Sequence, residues 1–416
     1  MSEPSQPEAV RRLMWFFAIV YTVEGIGQAK VGVVWQPLTH FLKEAHGWSA
    51  VKISASLAVL DLPWVVKPLW GLVSDFLPLF GYRRRSYLLV ANVAATGAFA
   101  WVALVSTPGT IVMALVMTSV AMAVSSTLCG ALLVENGQRL NASAAFVNQQ
   151  WLWFNVALMA ASLTGGVLTE ALPAADALRA AAWIAAVAPL GVLACLSLLA
   201  ERQAGINRAE MRRRLNGFRA TFRSGPLWLV AGFLFCYYFS PGFGTPLYFH
   251  MTDRLLFSQG FIGLLSSISA AGWIAGGLLF QWRLRGLDTP SLLRFSLLFG
   301  AASELAYVAM MDPATAVAIY FVNGVAAMIA NIATLTLAAE HCPPLAEGFA
   351  FAGLMSVINL ATPAADTLGA VLYEHVFDHS LPPLILLSAA TTLLILPLMR
   401  ALRVGDLRPA APPSGA

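Results

Sequence analysis

Long, nearly unbroken apolar runs restrict this chain more than any other feature. They lie at 14–36, 51–73, 87–106, 110–134, 148–171, 178–200, 226–249, 259–281, 291–311, 314–338, 349–375 and 382–400. A helix rises about 1.5 Å per residue, so a run of about twenty crosses the ~30 Å hydrocarbon core of a bilayer. In lipid every backbone N–H and C=O must be paired within the protein. Barrel strands meet that demand with short segments that alternate in polarity; these runs are too long and too continuously apolar for strands. Charged residues make up 11% of the chain, against about 25% in a soluble domain. The expected class is therefore an all-α integral membrane protein with twelve transmembrane helices.

The basic residues set the orientation. If the N-terminus is cytoplasmic, that side holds Arg11, Arg12, Arg83, Arg84, Arg85, Arg139, the seven arginines from Arg202 to Arg223, Arg283, Arg285, Arg294, Arg400, Arg403 and Arg408. The opposite side holds Lys43, Lys52, Arg179 and Arg254. Such an excess of Arg and Lys in short loops marks the cytoplasmic face, so both termini are expected inside. The same placement reads the net charge of +4 as topology and excludes a nucleic-acid footprint.

The longest connection is rich in arginine and divides the runs six and six. The expected organisation is a cytoplasmic tail (1–13), a six-helix bundle (14–200), an Arg-rich cytoplasmic linker (201–225), a second six-helix bundle (226–400) and a cytoplasmic tail (401–416). The linker reads as an amphipathic segment at the headgroups or as a plain tether. An internal repeat supports the division. Asn155 and Gly165-Gly166-Val167-Leu168-Thr169-Glu170 recur as Asn359 and Gly369-Ala370-Val371-Leu372-Tyr373-Glu374; Leu132-Leu133-Val134-Glu135 recurs as Leu337-Ala338-Ala339-Glu340. Two parallel six-helix halves match the major facilitator superfamily.

One stretch sharpens that resemblance. Gly71-Leu72-Val73-Ser74-Asp75, followed by Gly81-Tyr82-Arg83-Arg84-Arg85, is similar to the superfamily's cytoplasmic loop motif. The fuller segment 63–87, with its Lys67-Pro68 pair, resembles the signature of the folate–biopterin transporter family. That resemblance implies transport of folates, pteridines or other small organic solutes. The second half carries a worn copy, Gly276-Gly277 to Arg283-Leu284-Arg285, without an aspartate. In the motif, the Asp75 carboxylate is expected to accept charge-assisted bonds from helix amides and from at least one of Arg83, Arg84 and Arg85. With Gly71, these residues form the expected cytoplasmic gate; the alternative is that the arginines only enforce topology.

Charges inside the membrane are costly and tend to be functional. Tyr21, Glu24 and Gln28 are spaced i, i+3, i+7 and share one helical face. Asp61 lies near the centre of the second run. Lys30 and Lys67 sit in opposite membrane halves, so Glu24 with Lys67 and Asp61 with Lys30 are the expected cross-helix pairs. Glu24 or Asp61 is the expected proton-coupling carboxylate, with a permanently charged structural pair as the alternative reading. Asp366 is a further candidate. In the seventh run, Tyr237 and Tyr238 precede Ser240-Pro241-Gly242-Phe243-Gly244-Thr245-Pro246, whose prolines and glycines should break the helix. Glu304 reads as structural. Asn323, Asn331 and Asn359 are mid-helix amides suited to a cavity or to bonds between helices; Gln149 and Trp151 are weaker candidates for stacking and bonding a ring-shaped substrate.

The expected function is secondary active transport of a small organic solute: no phosphate-binding Gly-x-x-x-x-Gly-Lys loop, no His-Glu-x-x-His and no Ser/His/Asp order is present, so neither an ATP-driven pump nor an enzyme is expected.

 The resemblance and the intramembrane carboxylates together imply a proton-coupled carrier of a folate- or pterin-like or other anionic metabolite, with an uncoupled facilitator or a membrane assembly factor as alternatives. Expected partners are the small-molecule substrate, protons and the lipid bilayer; no cofactor, metal or nucleic acid is expected, and the chain is expected to act as a monomer. Cys129, Cys195, Cys236 and Cys342 show neither disulfide nor zinc spacing. The polar start, Met1 to Val10, does not read as a removable signal peptide. Abundant Ala and Arg with scarce Lys suit a GC-rich bacterium, hence the inner membrane as the expected location.

Overall fold

The computed structural model describes residues 6–199, 201, 225–342 and 347–401. The expected linker arginines from Arg202 to Arg223, and Arg403 and Arg408, lie outside the described residues. In chain order the helices are α1 (Gln6–Gly27), α2 (Trp35–His40), α3 (Ala50–Val59), α4 (Leu62–Val65), α5 (Lys67–Phe76), α6 (Arg85–Leu104), α7 (Pro108–Leu140), α8 (Ser143–Ala171) and α9 (Ala174–Cys195). They continue with α10 (Gly225–Tyr238), α11 (Gly244–Asp253), α12 (Gln259–Leu279), α13 (Thr289–Ala306), α14 (Pro313–Glu340), α15 (Glu347–His375) and α16 (Leu381–Ala401). Nine of the described helices, α6 to α9 and α12 to α16, are long and apolar enough to cross a membrane.

The runs 14–36, 51–73 and 226–249 are instead interrupted, and each interruption has a local cause. Between α1 and α2 the chain turns at Gly32, whose backbone passes so close to the Ile26 carbonyl that a Cβ would collide with it. Pro63 and Pro68 lack the N–H groups that would continue α3 into α4 and α5. Between α10 and α11, Pro241 lacks an N–H, and the Gly242 N–H bonds the Ala365 carbonyl of α15 at 3.0 Å. Elsewhere the ends are conventional. Pro108 and Pro313 open α7 and α14, where a missing N–H costs nothing. Asp312 forms a capping box with Thr315, whose backbone N–H holds the Asp312 carboxyl below the usual carboxylate range.

By packing, the chain divides into two compact units. The first comprises Met1–Trp48, Val66–Asn207 and Gln259–Ser267; the second comprises Ser49–Val65, Arg208–Ser258 and Ile268–Ala416. In the first, α1 packs on α8 and α9, and α6 on α7 and α9. Phe16, Phe17, Tyr21, Leu88, Cys129 and Phe146 form its interior. In the second, α13 packs on α14 and α16, and α15 packs on α3, α4 and α10; Phe233, Leu234, Leu293, Leu297 and Ile329 are central. Lipid is as apolar as these side chains, so close contact and hydrogen bonding, more than escape from water, hold such helices together. Glycines permit the closest approaches. A Cβ at Gly166 of α8 would lie 2.8 Å from the Gly263 Cα of α12, inside the first unit.

The repeat seen in the sequence has matching structural roles. Glu170 Oε2 accepts the Gly260 N–H at the start of α12 at 3.1 Å, and Glu374 Oε1 accepts the Val51 N–H at the start of α3 at 2.7 Å. Each carboxylate thus caps the first turn of a helix, where backbone donors have no helical partner. The first contact lies within the first unit and the second within the second.

Candidate functional site

The polar stripe on α1 meets two other helices inside the first unit. Glu24 Oε1 accepts from Gln28 Nε2 at 3.2 Å and from Ser126 Oγ of α7 at 2.9 Å. Lys67 Nζ, at the start of α5, donates to the same Ser126 Oγ at 3.3 Å. Ser126 therefore stands between the two, donating to the carboxylate and accepting from the ammonium. Two further polar atoms, Glu24 Oε2 and the Tyr21 hydroxyl, are buried with no hydrogen-bond partner among the described residues. A buried unpaired polar atom costs about 1–3 kcal/mol, so this cluster has unused capacity to bind a polar ligand or a proton.

The sequence pattern anticipated Tyr21, Glu24, Gln28 and Lys67 but not Ser126. The available signal was the hydroxyl run Ser125-Ser126-Thr127 in the middle of α7. Lys30 lies in the interruption after α1, in the first unit, and Asp61 lies between α3 and α4, in the second.

At the loop-motif end of the first unit, one arginine gathers the charges. Arg84 is 5% exposed. Its Nη2 lies 2.7 Å from Asp75 Oδ1 and 2.8 Å from Glu135 Oε1, and its Nη1 donates to Ser74 Oγ at 2.5 Å. Gly71 brings α5 to α7, with the Thr127 methyl 3.7 Å from where its Cβ would stand. The tight turn at Phe80-Gly81, with both residues at positive φ, carries the chain back to α6. Glu201 was not anticipated as part of this array. Its Oε1 accepts the Arg83 and Arg84 amides at 2.9 Å each, and its Oε2 accepts the Arg85 amide at 2.7 Å. The first residue of the 201–225 connection is thereby bound to the start of α6. The Arg85 side chain instead reaches over the Tyr82 ring, 6.0 Å from its centroid.

The second unit carries a reduced counterpart. Thr289 stands 205 positions after Arg84, and Glu340 stands 205 after Glu135. Thr289 Oγ1 donates to Glu340 Oε1 at 2.7 Å. A neutral hydroxyl thus replaces the guanidinium of the first half.

Other candidates in the second unit have local tasks. Asn359 Nδ2 donates to the Trp64 carbonyl at 3.0 Å. Asp61 lines a crevice of about 370 Å³ together with Ala58, Val65, Leu360, Pro363 and Thr367. The Tyr237 hydroxyl is 2.9 Å from Ser296 Oγ, and the Tyr238 hydroxyl is 2.8 Å from Thr334 Oγ1, so these adjacent tyrosines tie α10 to α13 and α14. Asn323 Nδ2 reaches Ser303 Oγ at 3.4 Å. Asp366 lies against Gly242, in the interruption after α10, so closely that a Cβ there would overlap its carboxylate. Asn331 Nδ2 in the second unit and Gln149 Oε1 in the first are buried without a partner among the described residues.

Residues 27–406 match the model of the BT1 family. A folate-biopterin transporter of Synechocystis is 28% identical over 413 residues, covering 93% of this chain and 81% of that protein. A probable folate-biopterin transporter of Arabidopsis thaliana is 23% identical, covering 86% and 76%. Among solved structures, a D-xylose-proton symporter superposes with a TM-score of 0.71 at 14% identity, covering 94% of this chain and 97% of that one. The nucleoside transporter NupG superposes with a TM-score of 0.67 at 15% identity, covering 96% and 98%. At these identities the structural likeness establishes the fold alone.

Proposed function

The chain belongs to the BT1 family, and from that premise we propose that it is a multi-pass membrane transporter of a small organic solute. The cargo is folate- or pterin-like or another anionic metabolite, carried by alternating access with proton coupling. The names of the Synechocystis and Arabidopsis relatives support the cargo class, and the likeness to the D-xylose-proton symporter supports the fold that coupled carriers use. Nine apolar helices and three interrupted runs add up to twelve crossings in this reading. Both termini then lie in the cytoplasm, two six-helix halves (14–200 and 226–400) flank the 201–225 linker, and the protein resides in a bacterial inner membrane.

The observation that carries the mechanism is the Glu24–Ser126–Lys67 array. A carboxylate and an ammonium joined through one hydroxyl can exchange a proton or admit an anion with little rearrangement. Protonation of Glu24 weakens its hold on Ser126 and leaves Lys67 able to draw an anionic cargo. Deprotonation restores the relay and releases it. The array at Arg84, Asp75 and Glu135 is the gate of this scheme, closing the cytoplasmic end in one state and parting in the other.

The test is uptake of radiolabelled folic acid and biopterin into proteoliposomes, with and without an imposed pH gradient. Gradient-stimulated uptake that is lost in Glu24→Gln and Lys67→Met supports the reading. Uptake unaffected by the gradient identifies an uncoupled facilitator. No uptake, with a stable co-purifying protein, identifies an assembly factor.

A further inference from the structure

One carboxylate of the second unit stands outside this scheme. Glu304, on α13, receives two hydroxyl contacts from α16: Ser388 Oγ and Thr392 Oγ1 each lie 3.4 Å from its Oε2. Ser240, in the interruption between α10 and α11, stands behind them. Its Oγ is 3.0 Å from Ser388 Oγ, 2.8 Å from Thr391 Oγ1 and 3.3 Å from Thr392 Oγ1, and it donates to the Ser388 carbonyl at 2.9 Å. Two hydroxyls of α16 thus meet the carboxylate directly, and Ser240 meets those hydroxyls from the interruption after α10.

The charge around it is incomplete. Among the described residues, Glu304 has no hydrogen bond or ion pair with a Lys, Arg or His. The titratable groups facing it are the phenols of Tyr237 on α10 and Tyr307 just beyond α13. From α14, Asn323 contributes only an amide, bonded to Ser303. An ionised carboxylate inside a membrane is costly without a compensating positive charge. Ser388 and Thr392 donate to this carboxylate through long hydrogen bonds, with separations that leave room for a small cation among the oxygens. A hydroxyl donating directly to a carboxylate lies about 2.5–2.7 Å away, whereas oxygens that share a hard cation at about 2.4 Å stand roughly 3.4 Å apart along an octahedral edge. One carboxylate balances one positive charge, which selects a monovalent ion over a divalent one.

We propose that Glu304, Ser388, Thr392 and Ser240 form a binding site for a monovalent hard cation of the size of Na⁺. The site lies beside the interruption after α10, so occupancy would brace that interruption against α13 and α16. It does not depend on the identity of the cargo or on the proposed role of Glu24.

The experiment uses the full chain purified in detergent. Melting curves are recorded in equal concentrations of sodium chloride and choline chloride, and binding of radioactive sodium is measured by scintillation proximity. The expected result is a saturable rise in melting temperature with sodium, saturable sodium binding, and loss of both in Glu304→Gln. Ser388→Ala and Thr392→Val, which keep the carboxylate, should each weaken sodium binding by about tenfold; they serve as the decisive variants if Glu304→Gln does not fold. Identical curves in sodium and choline together with no sodium binding would overturn the site. So would sodium binding that survives in all three variants. Melting that depends on pH through Glu304 but not on sodium would also overturn it, and would make the group a proton carrier instead.

Discussion

Asn359 donates its side-chain amide to the main-chain carbonyl of Trp64 at 3.0 Å. That carbonyl would ordinarily accept the N–H four residues on, and the residue there is Pro68, which has none. An amide on α15 therefore supplies the donor that the sequence of the second run withholds. The prediction is a coupled pair. Asn359→Leu should cost about 0.5–1.5 kcal/mol, the usual range for hydrogen bonds between membrane helices. In a Pro68→Ala background, where position 68 again offers an N–H, that cost should largely vanish. Denaturant or thermal unfolding of the four proteins in the cycle measures it, and additive effects would refute the coupling.

Ser126 is predicted to be a functional hydroxyl. Ser126→Ala should lower folic acid or biopterin uptake by about tenfold, the effect of losing roughly 1.4 kcal/mol of interaction. Ser126→Thr, which keeps a hydroxyl, should retain most of the activity. Uptake by Ser126→Ala at the unmodified rate would make Ser126 a bystander.

The three arginines of the loop motif should not be equivalent. Arg84 is buried against Asp75 and Glu135, while Arg85 extends over Tyr82. Lysine lacks the planar fork that serves several acceptors at once. Arg84→Lys should therefore lower the melting temperature by several degrees, corresponding to about 1–3 kcal/mol, whereas Arg85→Lys should change it little. Equal shifts would mean that only the total charge of the loop matters.

Glu201 predicts a link between the 201–225 connection and the loop motif. It satisfies three successive amides at the start of α6. Glu201→Ala should destabilise that helix start by about 1 kcal/mol, as for loss of an N-terminal cap, and should speed amide hydrogen exchange at Arg83, Arg84 and Arg85. Unchanged exchange would remove the role assigned to Glu201.

The two glutamate caps of the repeat should act separately. Glu374→Ala frees the Val51 amide in the second unit, and Glu170→Ala frees the Gly260 amide in the first. Each should cost about 0.5–2 kcal/mol, and the double variant should show their sum within a few tenths of a kcal/mol, because the two contacts share no partner. A large departure from additivity in unfolding would indicate that the two caps are coupled.

Much of the fold was legible because lipid leaves the backbone few choices. Long apolar runs had to become helices, and the prolines and glycines from Pro241 to Pro246 marked where the seventh would be interrupted; the interruptions of the first run at Gly32 and of the second at Pro63 and Pro68 came to light only in the structure. The repeat was legible as well, and its two glutamates, Glu170 and Glu374, prove to cap helix starts in corresponding ways. The loop motif indicated that an arginine would meet Asp75. It could not say which one, since Arg83, Arg84 and Arg85 are chemically identical and differ only in direction.

By itself, then, the sequence determined the class of structure, the approximate positions of the apolar helices, one of their three interruptions, and the short list of charged residues that a membrane would not tolerate without a purpose. Tertiary structure decided the partners. Ser126 between Glu24 and Lys67, Asn359 on the Trp64 carbonyl, Glu201 on the start of α6 and the hydroxyls around Glu304 all depend on how each helix is rotated about its axis and which neighbour it meets. Those quantities arise from the packing of segments tens to hundreds of residues apart, and no local pattern of residues encodes them.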